Sequence, residues 1–149
     1  MELSQIEINS RIITKALSFL GVEEVAGKEN NQAIVDMFKA LGFEHFDDEV
    51  PWCAAYVGSV LKYSKLDYLK SLRARDYANY GTPTNKPIVG TVVTLWRESY
   101  LGTKGHCGFY LRHDKEYVWI LGGNQSNQVK VSKYPITQLL AFRNAVLPA

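Results

Sequence analysis

Two residue types that together can attack a carbonyl carbon stand far apart in this chain: Cys53, in the run DEVPWCAAYV, and His106, in GHCGFY. Pro51 suits the start of a helix and places Cys53 in the first turn of the apolar run that follows. A helix N-terminus presents unpaired N–H groups and partial positive charge, which favour a thiolate and can donate to an oxyanion. His106 opens a strand-like segment whose alternation sets His106, Gly108 and Tyr110 on one face, with Cys107, Phe109 and Leu111 on the other. An imidazole there can take the thiol proton and later hand it to a leaving amine. Cys107 is expected to face the core as a small hydrophobe.

A base of this kind needs a partner that fixes its tautomer. Asn124 and Gln125 lie just past the next apolar segment, YVWIL, and either side-chain carbonyl can accept from the imidazole. The stretch holding them, GGNQSN, is also rich in turn formers. Glu24, Trp52 and Gln125 are the candidates for substrate contact, with Glu49 as a further carboxylate near the groove; Tyr56 reads as core. His45 and His113 sit in polar loop contexts and read as surface residues. Two cysteines are too few for a disulfide framework, and no Cys/His cluster suggests zinc. No DxDxDG-like loop suggests calcium, although Asp47, Asp48 and Glu49 are adjacent acids. No metal or other cofactor is expected.

The elements that must position these residues divide the chain in two. Before the stretch Gly81 to Pro87 the pattern is helical. Ile12, Ile13, Ala16, Leu17 and Leu20 recur at helical spacing up to Gly21. Asn31 can cap a second helix with Ile34, Val35, Phe38 and Leu41 on one face, stopped by Gly42. From Trp52 the run is apolar almost all round, which predicts a buried central helix. Leu69 to Tyr80 is a weaker helical candidate. After Pro87 the pattern changes to strands: Thr91–Trp96, His106–Arg112, Tyr117–Leu121, Gln128–Ser132 and Leu139–Asn144. Helices followed by strands predict an α+β domain over residues 1–149, with an antiparallel sheet packed on the central helix.

Bulk properties narrow the partners. The formal net charge is +2, and the basic residues are scattered, which gives no nucleic-acid footprint. No apolar run reaches the roughly 20 residues of a membrane span. The N-terminal residues lack the apolar core and cleavage site of a signal peptide, so the expectation is synthesis in the cytoplasm.

DEVPWCAAYV, GHCGFY and LGGNQSNQV, in this order and spacing, resemble the CHAP group of cysteine, histidine-dependent amidohydrolases and peptidases, and especially its small phage and prophage members. NlpC-type cell-wall peptidases are more distant relatives with the same papain-like plan. The resemblance extends over GVEEVAGKENNQAI and SLRARDYANYG, roughly from Ala16 to Arg143. It implies a papain-like fold and cleavage of an amide or peptide bond in peptidoglycan, by an amidase or an endopeptidase. It implies Cys53 as nucleophile, His106 as base and Asn124 as the polar third member, with Gln125 as runner-up. The chain departs from the pattern at Gly90-Thr91, where relatives have Gly-Asp, and at Cys107, where relatives often have an aliphatic residue. The expected role is that of an endolysin acting as a monomer on periplasmic peptidoglycan, released by a separate holin. A secreted antibacterial amidase effector and a catalytically silent phage structural module are the alternatives.

Overall fold

The computed structural model describes residues 3–24, 31–44 and 51–149, so His45, Asp47, Asp48 and Glu49 lie outside the described residues. Helix α1, Gln5–Leu17, begins with a reciprocal cap: the Glu7 amide donates to Ser4 Oγ at 3.2 Å, and the Ser4 amide donates to Glu7 Oε1 at 3.3 Å. It buries Ile12 and Ala16 of the expected stripe, together with Ile8, whereas Leu17 and Leu20 are exposed and the helix ends at Leu17. Helix α2, Gln32–Ala40, is capped by Asn31, whose side chain accepts from the Ala33 amide at 2.8 Å. Helix α3, Cys53–Tyr63, is buried from Cys53 through Leu61, as an all-round apolar helix must be.

The strands are β1 (Thr82–Pro83), β2 (Val92–Trp96), β3 (Gly105–His113), β4 (Tyr117–Gln125), β5 (Gln128–Pro135) and β6 (Leu139–Asn144). They form one six-stranded sheet in the order β1-β6-β2-β3-β4-β5. Every pairing is antiparallel. The fold is thus α+β, with N-terminal helices on a C-terminal antiparallel sheet. The main core joins the three helices to one sheet face through Val92, Cys107, Phe109, Leu121 and Val129. A smaller cluster, built on Val93, Leu95, Tyr110, Val118 and Ile120, covers the other face. Residues of β3 therefore alternate between the two clusters.

Several elements differ from the sequence pattern. Leu69 to Tyr80 forms only a 3-10 helix, Ala74–Asn79. Its position is held by Tyr77 and Tyr80, both buried, with the Tyr80 hydroxyl donating to the Asp67 carbonyl at 2.7 Å. Strand β1 is an edge pairing of two residues, too short to leave an alternating signal. Strand β4 runs on through GGNQ rather than ending at Leu121. A Cβ at Gly123 would lie 2.7 Å from the Trp52 ring and from Tyr56 Cβ. The glycine there serves close approach to α3 more than turning. The turn itself falls on Ser126 and Asn127, both at positive φ, between the paired residues Gln125 and Gln128.

Candidate active site

Cys53 is the first residue of α3. The residue before it, Trp52, offers no side-chain cap to the N–H groups of the first turn. These groups can meet a developing oxyanion beside the sulfur. Cys53 is 5% exposed, and it lines a groove of about 380 Å³ with Pro51, Leu72, Arg97, Thr103 and Gly105. A larger cleft of about 570 Å³ lies between α1 and the end of α3. It is lined by Ser10, Arg11, Thr14, Lys15, Tyr63 and Ser64, which include no thiol or imidazole. The smaller groove is therefore the one that reaches the Cys53 thiol.

His106, near the start of β3, is buried and in contact with Cys53. Its Nε2 lies 2.9 Å from Gln125 Oε1. The Gln125 amide nitrogen donates to the carbonyls of Lys130 at 2.5 Å and Ile120 at 3.3 Å. With its NH2 group committed to two carbonyls, Gln125 can only present its oxygen to the ring. His106 then donates from Nε2–H, and Nδ1 is the nitrogen left for the Cys53 sulfur. The ring of Tyr134 covers the imidazole, with centroids 5.1 Å apart at 38°. Burial, followed by the adjacent Cys53 charge, pushes the Tyr134 hydroxyl up to about 12, so it remains a neutral phenol.

The Cys53 thiol is held well below the ordinary thiol range. A hydrogen bond from the Cys107 thiol is the largest cause, followed by the hydrogen bond and charge of His106, all acting against desolvation. Burial, then the adjacent Cys53 sulfur, drives Cys107 the other way. The two neighbouring thiols are thus pushed in opposite directions, Cys53 towards the thiolate and Cys107 towards the neutral thiol. Cys107 belongs to the helix-facing core, as alternation predicts, but it also touches the reactive sulfur. Thiolate, base and amide oxygen form a chain that can carry out nucleophilic acyl transfer.

Asn124 does not join this chain. It adopts φ +56° and makes no hydrogen bond to the imidazole; the residue beside the ring is Gln125. The reason is local: the β4–β5 register shifts between Gly122 and Gln125, and the left-handed residue brings Gln125 round to His106. Asparagine is one of the few residues that adopts this conformation readily.

Trp52 and Glu24 also have other occupations. Trp52 is fully buried, so it does not line the groove. Its indole N–H donates to Glu24 Oε1, which ties the start of α3 to the segment beside β5. Tyr56 is buried and donates to the Ala16 carbonyl at 3.0 Å. His113 is exposed, with Nδ1 2.7 Å from the Tyr110 hydroxyl. Sequence reasoning missed Tyr134 and the contact between the two thiols. The alternation of β5 put Tyr134 within reach of inspection, but the strand was expected to stop at Ser132. Among the described residues no group of three or more His, Cys, Asp or Glu side chains could hold a metal ion.

The fold resembles a solved structure, an NlpC/P60 family protein from Bacillus cereus ATCC 10987, with a TM-score of 0.58 at 14% sequence identity. The match covers 99% of this chain and 44% of that one, so the chain spans less than half the length of its structural neighbour. No protein-family model matches the chain, and no curated protein matches it.

Proposed function

We propose that this protein is a cysteine hydrolase of the bacterial cell wall, cleaving an amide or peptide bond of peptidoglycan. The observation that carries the proposal is the meeting of Cys53, the first residue of α3, with His106, whose far nitrogen is held by Gln125. The NlpC/P60 name of the structural neighbour supports the choice of substrate.

In the proposed reaction the Cys53 thiolate attacks the scissile carbonyl carbon, and the first-turn N–H groups of α3 receive the oxyanion. His106 gives its proton to the leaving amine as the C–N bond breaks, leaving a thioester. Water, deprotonated by His106, then attacks the thioester. The products are a carboxylate and the restored thiolate beside a protonated imidazole. Gln125 keeps the ring in one orientation throughout. The motifs quoted above favour an endolysin over other wall hydrolases; reaching periplasmic peptidoglycan then requires release by a separate pore protein.

Digestion of purified peptidoglycan, with the fragments weighed by mass spectrometry, tests this reading. A new N-terminal alanine marks an amidase, and a freed amine further along the stem marks an endopeptidase. Cys53→Ala should release neither; release equal to the wild type refutes the proposal.

A further inference from the structure

The groove beside Cys53 has an uneven charge. Its lining includes Arg73, Arg97 and Lys104 against a single acid, Glu98. Lys104 and Glu98 neutralise each other, at 3.1 Å. Arg73 leans on Asp76 at 3.9 Å. Among the described residues, the Arg97 side chain has no hydrogen bond and no ion pair, although its backbone is fixed by donation to the Lys104 carbonyl at 3.0 Å. Among the described residues, the Arg97 guanidinium is thus left unpaired in the groove where a substrate must lie.

Arg97 is also held near the reacting groups. The loop that carries it, between β2 and β3, is clamped by Arg75, which donates to the carbonyls of Lys104 (2.7 Å), Tyr100 (2.8 Å) and Ser99 (2.6 Å). The Arg97 charge is felt at Tyr134, the residue that covers the His106 ring. A guanidinium presents parallel donors that match a carboxylate in two-point fashion and leave a carboxamide poorly matched.

We propose that Arg97 selects substrates carrying a free carboxylate next to the scissile amide, so that the groove takes anionic stem peptides in preference to amidated ones. This rests on the hydrolase reading above for the position of the scissile bond. Binding and cleavage separate the two claims.

The probe is a stem tetrapeptide in two forms, with its carboxyl groups free or all converted to carboxamides. Binding is measured by calorimetry on Cys53→Ala protein at low salt. The free acid should bind about tenfold more tightly, the low end for a charge-assisted contact because Arg97 is exposed and screened. Arg97→Gln should abolish that difference, whereas Lys39→Gln, on the exposed side of α2, should preserve it. Equal binding of the two forms, no binding of either, or an equal loss in the Lys39 variant overturns the proposal. Cleavage by the wild type is scored separately. Equal binding with cleavage of both forms removes the selectivity and leaves the hydrolase; preference for the acid without cleavage does the reverse.

Discussion

Replacing Gln125 with leucine keeps most of the side-chain volume and deletes every polar contact it makes. Three hydrogen bonds go: 2.9 Å to His106 Nε2, 2.5 Å to the Lys130 carbonyl and 3.3 Å to the Ile120 carbonyl. At about 1 kcal/mol net for each, the variant should lose roughly 3 kcal/mol of stability, measured by urea unfolding. The catalytic effect is separate. Without an acceptor at Nε2 the imidazole is free to take the other tautomer or to turn, and kcat/KM on peptidoglycan fragments should fall roughly 10- to 1,000-fold, a part of what a positioned base contributes. Asn124→Ala supplies the contrast. Alanine is strained at φ +56°, so it should cost about 1 kcal/mol of stability. Its kcat/KM should stay within about twofold of the wild type. A folded Asn124→Ala protein that loses more turnover than folded Gln125→Leu would refute the assignment of Gln125 as the residue that orients the base.

The remaining expectations concern the sulfur, the loop and the glycine seam. Because hydrogen bonding holds the Cys53 thiol below its ordinary range, activity should persist to correspondingly low pH, and the loss on acidification marks protonation of the thiolate. Cys107→Ala removes the largest cause of that depression, so the acid limb of the kcat/KM profile should move to higher pH; an unmoved limb contradicts the thiol–thiolate contact. Arg75→Ala releases three carbonyls of the β2–β3 loop and should raise KM several-fold, about the effect of losing one or two net hydrogen bonds, while kcat changes less. Gly123→Ala forces a methyl group to within 2.7 Å of the Trp52 ring and should destabilise the fold by roughly 1–3 kcal/mol in thermal unfolding.

What could be read from the sequence was set by local periodicity. An all-round apolar run after Pro51 marked α3 and put Cys53 at its start. Alternation in GHCGFYL sorted His106 from Cys107 before any packing was known. What could not be read depended on neighbours distant in sequence. Whether Asn124 or Gln125 turns to the ring depends on a register shift between β4 and β5, and nothing in GGNQSN states a register. Trp52 was expected at the groove because it adjoins Cys53. It is buried instead, because Gly123 on β4 leaves room for an indole and Glu24 accepts its N–H. Charge in the groove was equally hidden, because Arg73, Arg97 and Lys104 meet there only once the β2–β3 loop folds against the residues before the 3-10 helix.

Titrating the alkylation of the native protein by iodoacetamide, with each cysteine followed by mass spectrometry, addresses the reactive sulfur directly. Cys53 should be labelled first, at a pH below the ordinary thiol range, and peptidoglycan cleavage should disappear in step with its labelling while Cys107 stays unmodified. Labelling of Cys53 to completion with cleavage intact would contradict the account.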